Sequence, residues 1–178
     1  MGKLCLCIAA SLDGYIADDK GSVDFLFEKP RIDPDPEYLR FYAEVESILF
    51  GSVSYRQITQ EISPGRPFFP DKKCYVFTAG ASLKDGGKNV SFTSLPPAEF
   101  VKEAAAGSQG LIWLFGGRRL IRSFMEADLI DQYWIYTMPV ILGAGVPLFS
   151  PGGKRLELLL SSVSRADNIV KTFYDRVR

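Results

Sequence analysis

The chain has 178 residues, 47% hydrophobic and 24% charged, which suits one globular domain over residues 1–178 with a sizeable core. Its 21 basic and 21 acidic residues cancel, which argues against a general nucleic-acid partner. Histidine is absent, which removes Ser-His and Cys-His catalysis and His-ligated metals; no metal site is expected, and acid–base work falls to Asp, Glu, Tyr, Lys, Cys or water.

Residues 3–9 read as a buried strand, with Cys5 and Cys7 on one face and Leu4, Leu6 and Ile8 on the other. The opening Met1-Gly2-Lys3-Leu4 has no signal-peptide layout, Leu6 departs from a myristoylation motif, and no apolar run approaches a membrane span. A cytoplasmic protein with no membrane partner is expected. Residues 10–24 form a loop rich in Gly and Asp, and residues 32–36 a proline-marked lead-in to a helix over 37–46. A short strand over 47–51 precedes a helix near 54–60, and prolines mark 62–71 as a surface loop. Strands follow at 73–77 and, more weakly, at 90–92.

Pro96-Pro97 opens a helix that fills 98–106 and stops at Gly107. The strand 111–115 runs into Gly116-Gly117 and a basic helix whose Leu120, Ile121, Phe124 and Met125 make an apolar stripe. An aromatic-rich strand over 132–140, a glycine-containing loop over 142–151 and a hairpin of 156–164 with 169–176 complete the chain. The three cysteines, odd in number and set in apolar strands, read as buried free thiols.

Strands alternate with helices to about residue 140, and strands alone follow. The pattern predicts an α/β fold: a mostly parallel sheet, helices on both faces and a C-terminal antiparallel hairpin at one edge. Ligands bind outside the carboxyl ends of strands in such sheets, so residues 9–16, 51–55, 78–82 and 115–120 are the ligand-facing segments. Small or hydroxyl residues end three of these strands, at Ala9-Ala10-Ser11, Gly51-Ser52 and Thr78-Ala79-Gly80. They leave backbone open to a flat ligand, or serve ordinary turns. The order strand, Gly116-Gly117, helix is a seat for a phosphate or a tight turn.

Several motifs together resemble a known family. Residues 8–17, IAASLDGYIA, resemble the N-terminal signature of the dihydrofolate reductase-like fold. Residues 21–26, GSVDFL, fit the branch containing the C-terminal reductase domain of bifunctional riboflavin-biosynthesis enzymes (RibD type). ILFGSVSY at 48–55, ADLIDQ at 127–132 and PVILGAGVPLF at 139–149 extend the likeness over nearly the whole chain. The resemblance implies a three-layer α/β/α reductase that passes hydride from NADPH, or NADH, to a small heterocyclic substrate. It places Ala9, Ala10 and Ile16 beside the nicotinamide, and Gly51, Ser52, Val53, Ser54, Thr78 and Ala79 on the adenosine side. It places Phe115, Gly116, Gly117, Arg118 and Leu120 around the pyrophosphate, with a cis Gly116–Gly117 bond. A homodimer is expected.

Three positions depart from the family pattern. Ser52 and Ala79 stand where the family has arginines that neutralise the 2′-phosphate of NADP. Either Arg56 or Arg118 substitutes, or NADPH preference weakens. Phe115 stands where riboflavin-pathway reductases have glutamate. The candidate acids are Asp24, which orients substrate or bonds its loop, and Asp35, near Asp33 and Glu37 where classical dihydrofolate reductases carry theirs. Tyr136 donates a proton or packs in the core, and Asp13 reads as a turn or cap residue. The implied activity is that of a 5-amino-6-(5-phosphoribosylamino)uracil reductase or a dihydrofolate reductase. The alternatives are a nucleotide- or small-molecule-binding protein without turnover and a dimeric module with a vestigial pocket.

Overall fold

The computed structural model of the protein describes residues 2–27, 35–66, 69–79, 87–103 and 107–177. Strands β1 (Leu4–Ser11) and β2 (Tyr15–Ala17) are followed by a 3₁₀ turn at Asp24–Leu26 and helix α1 (Pro36–Glu44). Then come β3 (Val45–Gly51), α2 (Ser52–Gln57), β4 (Lys73–Phe77), β5 (Val90–Thr93), α3 (Pro97–Glu103), β6 (Leu111–Gly116) and α4 (Arg118–Glu126). The chain closes with β7 (Gln132–Met138), β8 (Val146–Pro147), β9 (Leu158–Ala166) and β10 (Ile169–Arg176).

Among the described residues one eight-stranded sheet runs β5-β4-β3-β6-β1-β7-β10-β9. The first six strands of that order are parallel, and β10 and β9 add antiparallel at one edge. This is the dihydrofolate reductase-like architecture expected above. Alternation along the strands divides the interior into two cores. Leu6, Leu49, Leu114 and Tyr133 pack under Phe100 of α3 and Ile121 and Phe124 of α4. On the other face Cys7, Ile48, Phe50 and Trp113 pack under Phe41 of α1 and Tyr55 of α2. Trp134 belongs to this second core, with its ring 4.9 Å from Phe41 and 4.8 Å from Phe173.

Three local expectations shift. Helix α1 stops at Glu44, and Val45 begins β3 opposite Leu111. Val45 is buried and β-branched, so sheet pairing takes the last turn that periodicity assigned to the helix. Helix α2 starts at Ser52, directly off β3, and continues as a wider turn over Ile58–Ile62. The loop over 10–24 contains the end of β1 and all of β2, whose antiparallel partner β8 lies far along the chain. The last residues expected in α3, 104–106, and residues 32–34 and 80–82 lie outside the described residues.

Cys5, Cys7 and Cys74 are free and buried. Burial opposes the thiolate and pushes all three thiols upward, Cys74 to about 12. Native protein is therefore expected to react slowly, at all three thiols, with an aromatic disulfide reagent at neutral pH, and to release three equivalents promptly once unfolded in guanidinium. Rapid native labelling would contradict this burial.

Candidate functional site

Because β4, β3, β6 and β1 are parallel neighbours, their carboxyl ends emerge side by side along one rim of the sheet. At this rim the turns after β3 and β6 touch. A Cβ added to Gly51 would lie 3.4 Å from Gly117 N and 3.6 Å from Gly116 O. One added to Gly117 would lie 2.9 Å from Ser54 Oγ. Gly116 has φ +125°, a conformation closed to ordinary L side chains, and the Gly116–Gly117 bond is cis. Backbone thus lies close to backbone where the two turns meet, and a side chain at Gly117 would have to displace the Ser54 hydroxyl.

Both turns lead straight into helices. Gly51 caps α2 and Gly117 caps α4, and neither start has a side-chain cap. The first backbone N–H groups of α4 consequently point outward with no partner inside the helix, and the helix dipole makes this end attractive to an anion. Arg118 and Arg119 are exposed and form no ion pair among the described residues, while Leu120 turns inward and anchors the helix. Ser52 is half-buried and Val53 is 67% exposed. Phe115 packs 4.8 Å from Phe50 and 5.1 Å from Trp113, so an apolar core occupies that position. Thr78 continues β4 with its N–H on Thr93 O at 2.9 Å, and Ala79 is the last described residue of that segment.

The strand end at Ala9 and Ala10 lies next along the rim. Ile8 approaches Gly116, and Ala9 and Ala10 pair with Tyr136 and Thr137 of β7. Ile16 packs against the core that holds Ala10 and Leu120. Its place depends on Asp13. One carboxylate oxygen of Asp13 accepts from Ser11 Oγ at 2.6 Å and Leu142 N at 3.2 Å; the other accepts from Gly143 N at 2.7 Å. Leu12 N also donates to Val140 O and Leu148 N to Gly14 O, and β2 pairs with β8. The segments SLDGYIA and PVILGAGVPLF are therefore one clasp at the end of the sheet.

The candidate acids separate into two places. Asp35 caps α1, accepting from Glu37 N at 3.1 Å, and both of its oxygens accept from Lys171 Nζ, at 3.0 and 2.8 Å. Lys171 also pairs with Glu37, whose Oε2 accepts from Ser164 Oγ at 2.7 Å. The Lys171 side chain is 3% exposed. Burial opposes its charge, but the hydrogen bonds it donates to Asp35 and Glu37 outweigh that cost and raise its pKa. Burial likewise pushes the Glu37 carboxyl up, yet Lys171 and Ser164 hold it below its ordinary range.

Tyr136 lies between Ala9 and Lys171 in the sheet, with Lys171 Nζ 5.8 Å from its ring centre. Its hydroxyl is buried and has no hydrogen-bond partner among the described residues. Burial, the neighbouring Cys7 and the carboxylates of Asp35 and Glu37 drive its pKa upward, so it stays a protonated donor. Asp24 stands apart, on the wall of a cavity of about 430 Å³ between the first loop and the end of α2. Asp33 lies outside the described residues. The described residues contain no group of three or more His, Cys, Asp and Glu that could hold a metal ion.

The RibD C-terminal domain model matches residues 56–172, well over half of the chain. The chain belongs to the RibD C-terminal domain family. Within its range fall β4 to β9, both glycines of the β6–α4 turn, Tyr136 and Lys171. The chain is 34% identical to the uncharacterized protein YwjB of Bacillus subtilis over 175 residues, 98% of each. A protein of Shewanella sp. PV-4, provisionally assigned to riboflavin biosynthesis, superposes with a TM-score of 0.87 at 25% identity, covering all of both chains. Dihydrofolate reductase of Enterococcus faecalis shares the fold, with a TM-score of 0.66 at 16% identity over 98% of this chain and 96% of that one. This family architecture brings Gly51, Ser54, Gly116, Gly117 and Leu120 together, whereas Asp24 and Asp35 belong to different surroundings.

Lys171 was not among the candidate acids and bases. Its signal lies in the strand IVKTFYDR, where Lys171 shares the inward face of Phe173 and interrupts an apolar row. Asp13 matters as the tie between two distant loops, which no local pattern displays. Its hydrogen bonds, from Ser11 first, hold its carboxyl below the usual carboxylate range. A depressed carboxyl stabilises the folded state above its unfolded pKa of ~3.9 and loses that contribution as pH falls through the folded value. Thermal unfolding of the protein from pH 6 to pH 2 should show this acid-side loss, and Asp13→Asn should be less stable at pH 6 and flatter below about pH 4. Parallel curves for the two proteins would remove Asp13 from the clasp.

Proposed function

We propose that the protein is an NAD(P)H-dependent reductase acting on a small heterocyclic substrate. The observation that carries this reading is the contact of the Gly51 and Gly116–Gly117 turns, which aims two helix starts lacking side-chain caps at one stretch of the rim. The donor set fits a dinucleotide pyrophosphate: outward N–H groups of α4, the Ser54 hydroxyl and the Arg118 guanidinium. The dihydrofolate reductase of E. faecalis, which shares the fold, was solved with NADP(H).

On this reading Ala9, Ala10 and Ile16 border the nicotinamide, and Gly51, Ser52, Val53, Ser54, Thr78 and Ala79 border the adenosine. Phe115, Gly116, Gly117, Arg118 and Leu120 surround the pyrophosphate. The bound cofactor contributes hydride chemistry, and the protein positions the ring and excludes water. Ser52 and Ala79 supply no charge for a 2′-phosphate, and Arg56 is the exposed base on α2 that stands in for them. Both NADPH and NADH therefore remain within the reading. Phe115, packed in the core, distinguishes the site from that of a riboflavin-pathway reductase with glutamate at that position.

A second reading, binding without turnover, is favoured by one observation. Asp35, placed like the acid of a classical dihydrofolate reductase, has both oxygens engaged by Lys171. Fluorescence titration with NADPH and NADH should show saturable binding of at least one. Arg118→Ala should weaken it about tenfold, ~1.4 kcal/mol. Absence of binding by either nucleotide would sink the reductase reading, and binding without oxidation across dihydrofolate, aminouracil and quinone substrates would select the second.

The reading includes a homodimer. Among the described residues strand β9 is an edge of the sheet, and Leu159, Leu160 and Val163 on it are 64%, 51% and 56% exposed. An uncovered apolar edge of this kind invites pairing with another strand. Sedimentation velocity at micromolar concentration should show a dimer that Leu159→Arg converts to monomer. A monomeric wild type would reject this part.

A further inference from the structure

Strand β9 is not built as an edge that stays in water. It has nine residues, the longest strand among the described residues, and from Leu158 to Ser164 it carries no charge. Edges that remain exposed are ordinarily short or charged, which keeps them from pairing. The opposite edge of the sheet follows that rule, since β5 has only four residues. The exposed parts of Leu158, Leu159, Leu160 and Val163, with Val170 on β10, amount to roughly two and a half whole residues, so a symmetric pair of copies covers on the order of 1,000 Å², the size at which a specific interface begins.

The register with β10 sorts these side chains by face. Ser164, Ser162 and Leu159 lie opposite Lys171, Phe173 and Asp175, so they share the face of Lys171. Val163 and Leu160 lie opposite Thr172 and Tyr174 and share the other face. Ser161 is the extra residue between them, a bulge whose hydroxyl donates to Phe173 O at 2.9 Å. A bulge twists an edge away from a regular strand. The strand that follows this twist is one with the same bulge, which a second copy supplies. Charge agrees with that occupant. Exposed Glu157 precedes the apolar run and exposed Arg165 ends it. Antiparallel pairing sets the acidic end of each strand beside the basic end of the other, whereas parallel pairing sets like beside like. The pair of Glu157 with Arg155, at 3.2 Å and exposed, is of the kind that exchanges at little cost.

We propose that two copies pair antiparallel along β9, about a two-fold axis between Ser161 and Ser162, so that the sheet continues from one subunit into the other. This register keeps opposed side chains on common faces. It sets Leu160 against Val163 of the partner subunit, twice by symmetry, and Ser164 against Leu159 of the partner subunit. Ser164 donates to Glu37, which pairs with Lys171. The second copy thereby closes the outer side of the network that ties the start of α1 to the sheet beside Tyr136. This interface deepens the homodimer of the proposed reading by fixing its axis, and it needs no cofactor.

Oxidative cross-linking of the full chain tests the axis, because Cys5, Cys7 and Cys74 are buried and add little background. Ser162→Cys should couple into a disulfide-linked dimer under mild oxidation, since the two positions lie diagonally across the axis on one face, within the Cα separation of about 6 Å that a disulfide spans. Asp167→Cys, at the hairpin tip, should stay unlinked. Val163→Arg should turn the dimer seen in sedimentation velocity into monomer and abolish the link when combined with Ser162→Cys. A dimer in which Ser162→Cys fails to couple, or in which Asp167→Cys couples equally, overturns this axis and leaves the homodimer standing. A wild-type monomer at micromolar concentration overturns both. NADPH titration of the same samples reads the reductase separately: a linked dimer without nucleotide binding defeats the reductase and keeps the interface, and nucleotide binding by a monomer does the reverse.

Discussion

The contact of Gly51 with Gly116–Gly117 is the constraint on which the rest of the site depends. Strands β3 and β6 are parallel neighbours, and each ends directly in a helix. A side chain at Gly117 would have to displace the Ser54 hydroxyl, and one at Gly116 would have to adopt φ +125°. With Gly117 within reach of Ser54 Oγ, the starts of α2 and α4 face a shared space, and the partial positive charge of α4 is directed to the same place as Arg118.

A second device shapes the neighbouring rim. Asp13 joins the loop after β1 to the loop after β7, and β2 and β8 zip them together. Gly145 completes the junction: a Cβ there would lie 2.2 Å from Ala17 O, and its φ is +150°. Two signatures far apart along the chain are thus halves of one surface, which explains why both accompany this fold. Ile16 is carried by the clasp to the strand ends that contain Ala10.

Charge is distributed differently across the two acidic places. Lys171 is buried with two carboxylates and leaves a net negative cluster beneath Tyr136, whose hydroxyl remains protonated. The network ties the start of α1 to β10, so it fixes the floor of the sheet beside Ala9. Buried pairs of this kind contribute less net stability than their distances suggest, because desolvation opposes the attraction. Their effect is to hold geometry. Asp24 and Glu61, by contrast, are exposed and have no counter-charge among the described residues.

Much of this was legible in the residues themselves. The apolar runs 3–9, 47–51, 73–77 and 111–115, the Gly116-Gly117 pair and the stripe of α4 carry local signals of period and turn chemistry, and the mostly parallel sheet with its edge hairpin follows from alternation of strands with helices. The buried state of Cys5, Cys7 and Cys74 follows from their strand settings. Other features depend on partners distant in sequence. Val45 leaves α1 because Leu111 pairs with it, β2 exists because of β8, and Asp35 is engaged because Lys171, on the last strand, reaches it. Sequence alone determined the architecture and the rim at which the strand ends gather, since both arise from short-range periodicity. Only the tertiary structure decided which acids stay exposed and which are consumed by a buried cation, since that depends on charges brought together across the whole chain.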